Sequence, residues 1–123
     1  MRKINIETIT KIIKEMCIEA NYFLSNDMKV ALSQAKEREE SPLGKQILGQ
    51  LQENLQIAAD DMIPICQDTG MAVLFIEIGQ DVHFVNGSLN DAINNGVRKA
   101  YLDGKMRCSI VKDPIHRGNT NDN

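Results

Sequence analysis

Four consecutive polar side chains of four different kinds, Cys66, Gln67, Asp68 and Thr69, stand between Pro64 and Gly70. They sit directly before the apolar run 71–78. A thiol in such a place can be a nucleophile, a metal or cluster ligand, or a small buried hydrophobe. A nucleophile needs a neighbouring base, and only the fold could bring His83 or His116 near Cys66. A ligand needs partners. Cys17 falls on the apolar stripe of a candidate helix and Cys108 in a candidate strand, so further ligands for Cys66 would lie outside these 123 residues. Asp68 could orient a base, hold a proton or bind a cation; a lone Asp-Thr-Gly, though, reads more simply as an Asx-turn that organises the loop. Arg98, Arg107 and Arg117 each offer a guanidinium fork for a carboxylate. His83 reads as an exposed strand residue, and His116 lies in a polar tail.

The elements that must hold these groups follow from periodicity. Residues 71–78 read as a buried strand: eight residues, seven of them apolar, rich in β-branched and aromatic types. Gly79-Gln80-Asp81 makes a hairpin loop into a second strand, 82–85. Upstream, residues 6–24 show an amphipathic helical period, and Ser25-Asn26-Asp27 caps a second helix to about Glu40. Ser41-Pro42 restarts the chain as a third helix to about Asp60, with Leu43, Ile47, Leu48, Leu51, Leu55 and Ala58 as its buried stripe. Ser88, with Asp91 three positions on, starts a fourth helix that Asp103-Gly104 stops. Residues 106–111 suit an extended segment, and 113–123 form a polar functional loop or a disordered end.

The expected fold is therefore α+β. Three N-terminal helices and one later helix pack against a small, mainly antiparallel sheet centred on residues 71–78. A single domain spans 1–123, with a helical part (1–61), a strand–helix part carrying the loop (62–112) and a polar tail (113–123).

Composition narrows the class. Hydrophobic content of 42% and charged content of 25% are ordinary for a globular protein. The core must rest on Ile, Leu, Val and Met, since there is no Trp and only five aromatics. The cysteines are odd in number with no CxxC pair, which argues against a disulfide framework or zinc ribbon. No apolar run approaches the roughly 20 residues that span a bilayer, and no signal-peptide pattern opens the chain, so a cytoplasmic location is expected. The net charge of −3 hides an asymmetry: residues 98–123 carry six Lys/Arg against three Asp/Glu. That basic end suits an anionic small molecule or acidic surface, or is simply solvated. An acidic chain without a basic, aromatic-interleaved run is not expected to bind nucleic acid.

The run Pro64 to Gly70 (PICQDTG), the hydrophobic stretch after it and the Gly79-Gln80 that follows resemble the signature of the class I, iron–sulfur fumarate hydratases. The related L(+)-tartrate dehydratase α subunits share the pattern. The resemblance continues through Gly96-Val97, Ala100-Tyr101 and Met106-Arg107-Cys108-Ser109, and ends in Asp113-Pro114-Ile115 and Arg117 to Asn123. It covers about the last 60 residues by motif, and the front half in character.

The resemblance implies a hydro-lyase, one that adds or removes water across a small dicarboxylate (fumarate/malate or tartrate/oxaloacetate). It implies an oxygen-labile 4Fe-4S cluster whose open iron acts as a Lewis acid. By position, Cys66 matches one of three cluster cysteines, the other two lying beyond position 123. Gln67 and Asp68 match substrate-facing positions, Asp68 with a part in proton handling, and Arg107 matches an arginine that binds a substrate carboxylate. The implied partners are a β subunit or C-terminal domain of the same enzyme, in a homo- or hetero-oligomer. The family usually has glycine where Asn121 stands; Asn is the other residue that best tolerates positive φ, so the turn is expected to survive. Family α subunits run much longer, so this chain reads as a fragment that is inactive alone. The competing reading is a non-catalytic folded module acting through protein–protein contacts; a small metal protein using Cys66, Cys108 and His116 is a third.

Overall fold

A computed structural model describes residues 1–68 and 70–123. Its elements, in chain order, are β1 (Arg2–Asn5), α1 (Ile6–Tyr22), α2 (Asn26–Arg38), α3 (Pro42–Asp61), β2 (Val82–Val85) and α4 (Leu89–Asp103). The chain divides into two compact units. One comprises Met1–Ile18 and Gln67–Asn123, the other Glu19–Cys66.

In the first unit, α1 follows β1 without a loop. Asn5 Oδ1 accepts the Glu7 amide at 3.0 Å, satisfying one of the N–H groups that a helix start leaves unbonded. At the start of α4 the Ser88 hydroxyl accepts the Asp91 amide, as their spacing predicts. Its end falls at Asp103, where the Gly104 amide bonds to Ala100 O. The two helices meet at Gly96. A Cβ there would stand 2.7 Å from Ile13 Cβ and 2.9 Å from the Thr10 carbonyl oxygen, so only glycine permits the approach. Beside it, Thr10 Oγ1 donates to Ala92 O at 3.2 Å. Ile13, Val97, Tyr101 and Met106 form the buried cluster, with Ala72, Leu74, Cys17 and Cys108 packed against it. Burial of each large side chain contributes about 1.5–3 kcal/mol.

The sheet departs from expectation. It has two strands, β1 and β2, and they are parallel, with Arg2 opposite Val82 through Asn5 opposite Val85. The expected mainly antiparallel sheet centred on residues 71–78 does not form: that stretch has no strand assignment. Gly79 does turn the chain, since the Val82 amide bonds to Gly79 O at 3.1 Å, yet β2 pairs with β1 and does not fold back on 71–78. Apolar composition sets a preference for burial, whereas a ladder needs another backbone within hydrogen-bond reach. β1 itself announced little, being four residues with one apolar side chain, Ile4, in its interior.

The expected extended segment 106–111 contributes only an isolated antiparallel bridge between Val111 and Asn119. Around it the polar tail is held by backbone bonds: Ile110 N to Asn123 O at 3.1 Å and Lys112 N to Gly118 O at 2.8 Å. The chain end is thus a hydrogen-bonded loop, built with almost no apolar burial.

In the second unit, Ser41 Oγ accepts the Gly44 amide at 3.3 Å and Pro42 opens α3, as the Ser-Pro start implies. α3 stops where Met62 turns left-handed at φ 52°. α2 ends at Arg38, two residues before the expected Glu40, with the Glu39 amide bonded to Ala35 O. Across the pair, Gln52 reaches Ser33 Oγ at 3.0 Å and accepts from Lys36 Nζ at 3.2 Å. The expected α3 stripe is buried only at Ala58; Leu43, Ile47 and Leu51 are exposed. A single neighbouring helix covers one line of a helical surface, and α2 does no more than that.

Candidate functional site

The loop 64–70 joins the two units in sequence: Cys66 closes one and Gln67 opens the other. Its approach is fixed from both sides of one peptide group. The Ile65 amide donates to Asn21 O at 2.9 Å, and Asn54 Nδ2 donates to Ile65 O at 2.9 Å. At its far end Gly70 adopts φ 64°, a left-handed conformation that glycine enters without a Cβ penalty. The Gly70 carbonyl accepts a 2.6 Å hydrogen bond from Tyr101 Oη on α4. Tyr101 is 2% exposed, so a core side chain holds the loop exit. Cys66, Gln67 and Asp68 are all exposed. The Thr69 hydroxyl, the fourth polar group singled out from the sequence, lies outside the described residues.

Arg107 is presented by a different device. Met106 is buried in the core cluster and Cys108 is half-buried, so the residue between them faces outward, and Arg107 is exposed. Asn119 Nδ2 donates to Cys108 O at 2.7 Å, which ties the Arg107 segment to the tail. The tail has its own internal order. Asp113 Oδ1 accepts the amides of Ile115 and His116 at 3.0 and 2.8 Å, an Asx-type turn. Asn121 stands at φ 59°, so it does take the positive-φ backbone expected of that position.

Arg98, one of the three arginines read as forks, pairs with the tail. Its Nε and Nη2 both lie 2.8 Å from Asp122 Oδ2, joining α4 to the tail. The Thr120 hydroxyl and this guanidinium hold the Asp122 carboxyl below the usual carboxylate range. The Arg98–Asp122 clamp was legible only in half: the arginine was a candidate, while its partner was hidden in the polar run 119–123. The Tyr101–Gly70 bond gave no sequence signal, because Tyr101 reads simply as part of an apolar stripe.

The thiols separate by environment. Burial pushes the Cys17 thiol up, which opposes the thiolate form that a metal ligand requires. Cys108 is half-buried with its sulfur 4.0 Å from Met106 O, and Cys66 is exposed. Cys66 is therefore the thiol whose environment suits ligation from this chain. Among the described residues no group of three His, Cys, Asp or Glu side chains is placed to hold a metal ion. His83 is exposed on β2, as its place in the strand suggests. No helix among the described residues is long and apolar enough to cross a membrane.

The model of the fumarate hydratase (Fumerase) family matches residues 10–123. A Methanocaldococcus jannaschii protein, provisionally named as L(+)-tartrate dehydratase subunit alpha, is 33% identical over 112 residues, covering 90% of this chain and 39% of that protein. The L(+)-tartrate dehydratase subunit alpha of Escherichia coli K12 is 27% identical over 115 residues, covering 92% of this chain and 38% of its own length. A Geobacillus stearothermophilus protein, provisionally named as class I fumarate hydratase, is 27% identical over 119 residues, with 96% of this chain and 23% of that protein covered. The chain thus spans well under half the length of these relatives.

Proposed function

Because this chain belongs to the fumarate hydratase family, we propose that it forms the N-terminal, loop-bearing part of an iron–sulfur hydro-lyase acting on a small dicarboxylate, fumarate/malate or tartrate/oxaloacetate. The observation that carries this reading is the exposed Cys66-Gln67-Asp68 run on a backbone fixed at Ile65 and Gly70. Cys66 is the residue that would hold a 4Fe-4S cluster, with the remaining ligands on polypeptide outside this chain. When bound, such a cluster supplies a Lewis-acidic iron for the substrate hydroxyl and one carboxylate.

The chain's own residues then divide the remaining work. Arg107 forks onto the other carboxylate, where two parallel N–H···O bonds fix both distance and plane. Gln67 adds an amide that orients the substrate. Asp68 holds or moves the proton at the carbon that gains or loses hydrogen. The complete enzyme brings a β subunit or C-terminal domain, and its compartment is the cytoplasm.

The test is a full-length α subunit in which this chain replaces the matched region of the M. jannaschii relative, purified anaerobically with its companion subunit and reconstituted with iron and sulfide. We expect hydration of fumarate or dehydration of tartrate, lost together with the cluster's visible absorbance in Cys66→Ser. Arg107→Lys should raise KM about tenfold or more with the absorbance unchanged, roughly the 1.4 kcal/mol of one lost charge-assisted bond. A Cys66→Ser enzyme that keeps cluster and turnover would overturn the ligand assignment. A chimera that loads a cluster yet turns over neither substrate class favours the non-catalytic module.

A further inference from the structure

The stretch 71–78 has two faces. Ala72 and Leu74 pack against the buried cluster. Met71, Val73 and Phe75 point the other way and are 71%, 70% and 97% exposed. Over 71–75 that is the period of two of a strand with one face on a core, applied to a segment with no strand partner; beyond it Ile76 and Ile78, in register with Leu74, are exposed as well. None of its backbone amides or carbonyls has a hydrogen-bond partner among the described residues.

Beside it runs a groove of about 540 Å³, lined by Ile9, Ile12, Met16, Phe84 and Leu89 together with the stretch itself. Ile12 and Met16 on α1 are exposed too. Large exposed apolar patches on a protein surface commonly mark interaction sites. A lone apolar edge normally carries charge or proline against stray pairing, and here Glu77 is the sole charged residue. The sheet nearby has only two strands, a size that is marginal without further pairing.

We propose that 71–78 is an open sheet edge. Its occupant is an extended, alternately apolar segment of the α-subunit polypeptide outside the region this chain shares with its relatives. The proposal rests on reading the chain as part of such a subunit. The share of length decides the occupant: a relative matched along 90% of this chain has only 39% of its own length in the match. The incoming strand bonds to the unpaired backbone of 71–78 and seats its alternate apolar side chains in the groove that Val73 and Phe75 also line.

Amide hydrogen exchange tests this directly, in the chain alone and in the chimeric α subunit described above. In the chain alone, 72–77 should exchange at nearly unprotected rates at monomer mass, while the interior of α4 is protected. In the chimera the same amides should slow at least a hundredfold, and Phe75→Lys should return them to within tenfold of the unprotected rate. Equal, fast exchange in a soluble chimera overturns the proposal. Protection already present in the chain alone at doubled mass overturns it too, by making a second copy the occupant. Should the chimera not accumulate, the same measurement on the intact M. jannaschii subunit, at the residues matched to 71–78, decides between protection and none. The readout needs neither cluster nor turnover. An inactive chimera with protected 72–77 sinks only the hydro-lyase reading, and an active one with unprotected 72–77 sinks only the docking edge.

Discussion

Helix α4 and the stretch 71–78 are both apolar on the side that faces the same cluster, and they end in opposite conditions. α4 buries Ala92, Gly96, Val97, Ala100 and Tyr101. In 71–78 the outward face, Met71, Val73 and Phe75, is bare. A helix closes its own backbone hydrogen bonds, so one covered face is enough to place it. A strand has neither its bonds nor its second face until another segment arrives. Apolar residues are thus necessary for both elements but sufficient only for the helix.

The contrast can be broken most severely at the helix crossing. Gly96→Val should destabilise the chain by about 3 kcal/mol in a urea titration, because Ile13 and the Thr10 carbonyl leave no room for a side chain. Retained stability would mean that α1 and α4 do not approach this closely.

Tyr101→Phe comes next. It deletes the hydrogen bond from Tyr101 Oη on α4 to the loop exit at Gly70, and should cost about 1 kcal/mol while speeding proteolytic cleavage within 66–78. The same loss of stability with unchanged cleavage would show that the bond serves the helix and not the loop.

The Arg98–Asp122 clamp should show itself in acid. The folded carboxyl is held below its usual range, so its contribution is complete above the ordinary carboxylate pKa and disappears as pH falls through the lowered folded value. Asp122→Asn should remove that part of the acid sensitivity. The pair is partly exposed, so only a few tenths of a kcal/mol are expected at neutral pH. The smallest effect belongs to Phe75→Lys in the chain alone: a side chain 97% exposed should be replaced within about 0.5 kcal/mol.

Helix starts and stops were readable because they are local. Ser41-Pro42, Ser88 with Asp91, and Asp103-Gly104 each meet hydrogen-bonding needs within a few residues, and each lies at an element boundary. The parallel pairing of β1 with β2 was not readable, since it joins residues about 80 positions apart through a four-residue strand. The stripe on α3 misled for the same reason as 71–78: a pattern states what a surface could bury, not what is there to cover it. At the site, residue types pointed to the loop and to Arg107. The clamps that hold them, Tyr101 to Gly70 and Asn119 to Cys108, are long-range bonds that leave no local pattern.

The three sulfurs have a practical consequence of their own. Cys66 lies open to solvent, Cys108 is half-covered, and Cys17 is half-covered with its thiol pKa raised by burial. Alkylating reagents and peroxide act on accessible thiolate, so modification should proceed in that order, Cys66 first and Cys17 last. A single-equivalent maleimide label would then mark the loop without disturbing the core. Kept in air, the chain would oxidise from the loop inward, beginning at Cys66.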